Sequence, residues 1–160
     1  MNISDLQSLL TKYTNKELVF IGLGNEYKGD DAAGLMLLDQ LKLSLLFSDA
    51  NFIKAGTNPE NYLEKILELN IKAIIFIDTI LVGETPGTIK ILSSEEVDSL
   101  SISTHTFSIK MIENYLKQHQ PFEFFYLGIQ PHSMKFFDNI SDEVLQAING
   151  FFVNTHVHNV

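Results

Sequence analysis

The sequence predicts an α/β fold in which parallel strands form the middle of a helix-covered sheet. Two short runs, Leu18-Val19-Phe20-Ile21 and Ala73-Ile74-Ile75-Phe76-Ile77, are continuously apolar and rich in β-branched and aromatic residues. Strands covered on both faces read this way, so both runs belong at the centre of a sheet. Between them the chain alternates helix, strand and helix, the order that builds right-handed crossovers.

The first helix is expected over Asp31 to Leu46, where Leu35, Leu38, Leu41 and Leu45 recur at helical spacing. A short strand, Asn51-Phe52-Ile53-Lys54, follows. The next helix is expected over Pro59 to Leu69, with Asn58 as its cap and Pro59 in its first turn. Beyond the second apolar run, Glu84-Thr85-Pro86-Gly87 turns the chain into a strand over Thr88 to Leu92, and Phe122 to Ile129 forms another. Helical periodicity returns over Thr106 to Lys117 and over Ser141 to Phe152. Gln130 to Asn139 reads as loop, and residues 153–160 as a frayed tail.

At 160 residues the chain suits a single domain, expected over residues 1–160, because a chain of this size buries roughly 70% of its unfolded surface around one core. The formal charge of −9 opposes nucleic-acid binding, which rests on Lys and Arg neutralising phosphates. With no cysteine, the chain supplies no disulfide, thiolate nucleophile or iron–sulfur ligand. Any metal must then be held by Asp, Glu, His or backbone oxygen. The opening residues lack a basic leader with a long apolar stretch, and no apolar run nears the roughly 20 residues of a membrane span. The expectation is a cytoplasmic protein with no membrane insertion.

The most informative segment is Gly22-Leu23-Gly24-Asn25-Glu26-Tyr27-Lys28-Gly29-Asp30-Asp31, which joins the first strand to its helix. Loops at the carboxyl ends of strands line the ligand crevice of such a sheet. As a dinucleotide loop it is imperfect. Its third glycine falls at position 29, no acid ends the second strand, and two acids at the helix start would repel a pyrophosphate. A nucleotide-binding α/β enzyme stays open as an alternative. Asp30 and Asp31 also suit helix capping and the helix dipole. Asp78 ends the apolar run of the third strand and should emerge at the same edge as the glycine loop. His105, in the polar stretch before a helix, completes a set of two carboxylates and one imidazole, which suits a divalent first-row metal with open positions and metal-assisted hydrolysis. His119 reads as a helix-end residue, His132 as a rim contact, and His156 and His158 as tail. Phe122, Phe124, Phe125, Phe136 and Phe137 read as core or partner surface.

In this order, Gly22-Leu23-Gly24-Asn25 through Gly29-Asp30-Asp31, Gly56-Thr57-Asn58-Pro59-Glu60, Ile77-Asp78, Pro86-Gly87, Ser103-Thr104-His105 and Leu127-Gly128-Ile129-Gln130-Pro131 resemble the hydrogenase maturation endopeptidases. The resemblance leans toward the type serving formate hydrogenlyase-like [NiFe] hydrogenases, and it covers nearly the whole chain after residue 17. It implies a three-layer α/β/α sandwich with a mostly parallel twisted sheet, and an endopeptidase that removes a C-terminal extension from a [NiFe]-hydrogenase large-subunit precursor after nickel insertion. By motif match Asp31, Asp78 and His105 would contact nickel carried by the substrate, or another divalent metal in the isolated protein, with Asp31 and Asp78 also catalytic. Gly24, Asn25, Asp30, Gly56 and Thr57 would bind substrate or shape the cleft, Asn25 and Asp30 by supporting the loop that presents Asp31. The sequence departs from the family pattern at Ala32, where glycine is usual, at His132, where an acid is frequent, and at Ala55-Gly56, where a glycine pair is common. A nickel or hydrogenase chaperone that binds without cutting is the second alternative.

Overall fold

The computed structural model describes residues 1–99 and 106–153. Its centre is a five-stranded sheet in the order β2-β1-β3-β5-β4, made of β1 (Leu18–Leu23), β2 (Asn51–Gly56), β3 (Ala73–Thr79), β4 (Ile89–Leu92) and β5 (Glu123–Ile129). The pairs β1–β2, β1–β3 and β3–β5 are parallel, and only the edge strand β4 runs antiparallel to its neighbour. The two runs read as central strands are β1 and β3, side by side and buried along their whole lengths.

Strand side chains alternate between faces, so each run feeds two cores. Leu18, Phe20, Ala73, Ile75 and Ile77 pack with Leu37, Leu38, Leu41, Val144 and Ile148. That core lies under α1 (Ile3–Leu9), α2 (Ala33–Leu43) and α6 (Asp142–Phe151). Val19, Ile21, Ile74 and Phe76 pack with Ile66, Val97, Ile109 and Ile112 of α3 (Leu63–Glu68), α4 (Ser94–Ser99) and α5 (Thr106–His119). Helices on both faces of a mostly parallel sheet make the three-layer α/β/α sandwich that the resemblance implies.

The differences from the sequence reading are local. The chain enters α2 through a 3₁₀ turn, Gly29–Ala32, so the α-helix itself starts at Ala33 rather than Asp31. It ends at Leu43, and Leu45–Phe47 is a separate 3₁₀ turn. The second predicted helix likewise opens as a 3₁₀ turn, Pro59–Tyr62, before α3. Asn58 gives that turn no side-chain cap, because its amide is spent on Glu60 and Thr57. Two helices escaped the sequence reading. In α1, the Asn2 side chain accepts from Asp5 N–H while Asp5 accepts from Asn2 N–H, a reciprocal capping box. The short α4 follows β4 directly. Segment 130–139 is irregular, as expected, and the irregular stretch runs on to Ser141, with α6 starting at Asp142. No helix among the described residues is long and apolar enough to cross a membrane.

Candidate active site

Parallel pairing sets Leu23 beside Asp78: Gly22 is in register with Ile77, and each strand then takes one more step toward its carboxyl end. The loop after β1 and the end of β3 therefore share one edge of the sheet. At that edge, Gly24 N–H donates to the Gly56 carbonyl (3.1 Å), which joins the loop after β1 to the end of β2. Gly24 has φ 133° and a Cβ there would lie 1.9 Å from the Asp31 carbonyl oxygen, so only glycine fits. Asn25 N–H in turn donates to that carbonyl at 3.2 Å, and the Asn25 side chain accepts from Tyr27 N–H at 2.9 Å. A cleft of about 380 Å³ opens above these contacts, lined by Gly24, Asn25, Tyr27, Lys54, Gly56 and Thr57. Four of the five expected substrate-contact positions thus line one cavity.

The fifth, Asp30, takes a different place. Its carboxylate is wholly buried (0% exposed) and accepts from Ser141 N–H at 2.6 Å, His132 N–H at 2.8 Å, Ser141 Oγ at 2.9 Å and Ser133 N–H at 3.0 Å. Burial alone would push this carboxyl upward, but the donors from Ser141, Ser133 and His132 outweigh it and hold its pKa below the ordinary aspartate value. Asp30 is a positioning residue that anchors segment 132–141. Its carboxylate is enclosed by these donors and has no open face for substrate. Its own carbonyl accepts from Thr79 Oγ1 at 2.8 Å, which pins the loop after β1 to the end of β3.

Asp31 and Asp78 are buried at 2% and 1% exposure on this edge. Asp78 Oδ1 accepts from Thr79 N–H at 2.8 Å. Alternation along β3 turns Asp78 to the face of Ile74 and Phe76, where α5 packs. The tight approach of α2 is made possible by Gly34: a Cβ there would lie 2.5 Å from the Leu23 carbonyl oxygen, 2.7 Å from that of Ile77 and 3.2 Å from Asp78 Cα. Gly34, Thr79, Ser133 and Ser141 are site-building residues that the sequence reading missed. A glycine inside a helical pattern was the available signal for Gly34.

His105 lies outside the described residues, as do His156 and His158. Among the described residues no three His, Asp or Glu side chains are grouped to hold a metal ion. Of the family departures, Ala32 has ordinary right-handed helical geometry (φ −77°, ψ −12°), so alanine is tolerated there. The His132 side chain is exposed, its Nδ1 3.4 Å from Glu143 Oε1. His119 is at the end of α5, its Nδ1 2.9 Å from the Tyr115 carbonyl oxygen.

The family model for HycI, the hydrogenase maturation proteases, matches residues 36–153. A Methanocaldococcus jannaschii protein assigned by name to the hydrogenase maturation proteases is 36% identical over 146 residues, spanning 86% of each chain. The hydrogenase 3 maturation protease of Escherichia coli K12 is 27% identical over 133 residues, 81% of this chain and 83% of that one. Among solved structures, the [NiFe] hydrogenase maturation protease HycI of Thermococcus kodakarensis superposes with a TM-score of 0.78 at 25% identity, covering 91% of this chain and 92% of that one. Its glycine-shaped cleft, its fold and these likenesses agree: the chain belongs to the hydrogenase maturation proteases, a family of peptide-bond hydrolases.

Proposed function

We propose that this protein is an endopeptidase that removes the C-terminal extension of a [NiFe]-hydrogenase large-subunit precursor after nickel insertion, and that Asp31, Asp78 and His105 engage the nickel carried by that precursor. The observation that carries the reading is the placing of two buried aspartates on one sheet edge, beside a cleft built by Gly24, Asn25, Gly56 and Thr57. In the sequence His105 immediately precedes Thr106, the first residue of α5, and Ile109 and Ile112 of α5 share a core with Phe76, on the face to which Asp78 belongs.

Oxygen and nitrogen donors suit this division of labour. The protease has no cysteine, so the soft ligands to nickel are the precursor's own, and the protease offers carboxylate and imidazole to the remaining positions. A filled precursor is then bound more tightly than an empty one, and cleavage follows loading. In the hydrolytic step one aspartate orients the attacking water and takes its proton. The water oxygen bonds to the scissile carbonyl carbon, the C–N bond breaks, and the proton passes to the leaving amine.

The test is to incubate purified protein with nickel-loaded precursor and read the mass. Loss of one discrete C-terminal peptide is expected with the wild type and not with Asp31→Asn or His105→Ala. If those variants process at the wild-type rate, the site assignment is wrong. Stable binding of precursor with no change in mass would favour a chaperone. A rise in melting temperature with nucleotide would favour the nucleotide-binding reading.

A further inference from the structure

The cluster of phenylalanines divides in the structure. Phe122 and Phe124 belong to the core under α5, and Phe125 packs against the core on the other face of the sheet, but Phe136 and Phe137 stand 60% and 88% exposed. Tyr27 beside them is 70% exposed. Phe137 has φ 65°, the one positive φ of a non-glycine residue among the described residues. A side chain with a full Cβ is strained in that left-handed region.

The strain is held rather than relieved. Phe137 N–H donates to the Tyr27 carbonyl at 2.8 Å, and the buried Asp30 carboxylate fastens the same segment on both sides, at Ser133 and at Ser141. The Lys28 ammonium lies 5.6 Å from the centre of the Phe136 ring, and the two phenylalanine rings are 6.2 Å apart. A fixed, strained backbone that displays two large apolar rings to water gives the folded monomer nothing. It gains if another surface covers the rings.

What covers them follows from where they sit. Tyr27 lines the cleft above Gly24 and Gly56, and its carbonyl is the acceptor that holds Phe137, so cleft wall and aromatic rim are one continuous surface. A folded precursor whose terminal segment lies in the cleft must overhang that rim. We infer that Tyr27, Phe136 and Phe137 form a docking platform for the body of the hydrogenase precursor, packing against an apolar patch next to its C-terminal segment. Rigid aromatic side chains are the usual energetic anchors of such interfaces. The inference rests on the proposed substrate, but not on the roles of Asp31, Asp78 or His105.

The test is steady-state processing of nickel-loaded precursor by the wild type and by Phe136→Ser/Phe137→Gly. Both positions face solvent and glycine relieves the positive φ, so the variant is expected to fold, with a thermal midpoint no lower than wild type. The platform predicts a rise in KM of about tenfold or more, the scale of an interface anchor, with kcat nearly unchanged. An unchanged KM overturns it, whatever happens to kcat. If the wild type does not cut the precursor, the proposed function falls on its own, and calorimetric titration with the same precursor still decides the platform. Wild-type binding weakened about tenfold in the variant upholds it. Equal binding, or no binding by the wild type, overturns it.

Discussion

Replacing Asp30 by Asn tests whether this residue anchors the rim of the cleft. In the wild type one fully buried carboxylate accepts four hydrogen bonds, three from backbone N–H groups and one from the Ser141 hydroxyl. Hydrogen bonds to a charged acceptor contribute about 1.5–3 kcal/mol each, and a buried donor left unmade costs about 1–3 kcal/mol. Asn keeps one oxygen. With that oxygen at the Oδ2 position three bonds survive without charge assistance, while its NH₂ group opposes Ser141 N–H. The bonds share one site and do not add, so the expected loss is about 2–4 kcal/mol. That corresponds to a fall in thermal midpoint of roughly 5–15 °C for a domain of this size. The sign of the pH dependence follows from the depressed pKa of Asp30. Its stabilisation is fully present above the unfolded-state value near 3.9 and is lost as pH falls through the lower folded-state value. Urea unfolding at pH 7 and at steps below pH 4 reads both effects. The gap between wild type and variant should hold constant from pH 5 to 8 and narrow in acid. A gap under about 0.5 kcal/mol at pH 7, the range of an ordinary surface change, would refute the anchor.

Three further substitutions probe other parts of the structure. Gly34→Ala puts a Cβ against two carbonyl oxygens and Asp78 Cα, so stability should fall by about 1–3 kcal/mol despite alanine's better helix propensity; a higher calorimetric midpoint would contradict this packing. Phe137→Gly alone should raise the thermal midpoint, because a backbone strain of about 1–3 kcal/mol is removed and little buried contact is lost. Glu113, on the buried face of α5, is pushed upward by burial but held near a pKa of about 2 by Lys117, Ser94, Tyr126 and Lys110. Glu113→Gln should therefore cost about 2–4 kcal/mol in urea unfolding at pH 7. That difference should persist above the unfolded-state glutamate value near 4.3 and shrink toward pH 2.

The sheet was legible because residues 18–21 of β1 and 73–77 of β3 are continuous short apolar runs rich in β-branched and aromatic residues, as doubly covered strands are. The edge carrying Asp78 followed from the same pattern, since a polar residue closing such a run marks the strand's carboxyl end, although Asp78 is itself buried. The two adjacent acids could not be told apart by spacing. Asp30 is distinguished by partners at Ser133 and Ser141, more than a hundred residues away, and contacts at that range leave no local mark. Ser141 stands at the start of the expected last helix, but its hydroxyl serves Asp30 and makes no cap bond to α6. The helix α1 was missed despite Asn2, Asp5 and the apolar spacing of Ile3, Leu6 and Leu10, because seven residues are too few to show a period. The left-handed Phe137 runs against its own propensity, and departures of that kind gather at functional rims.

In the proposed function, the sheet edge that carries Asp31 and Asp78 reads substrate nickel before the chain is cut. The most direct measurement is the initial rate of C-terminal peptide release from one precursor preparation, divided into nickel-loaded and nickel-free halves, with wild type and Asp78→Asn. Release from the loaded half alone by the wild type, and none by Asp78→Asn that retains its fold, is the predicted result. Equal release from both halves, or full activity in Asp78→Asn, would contradict it.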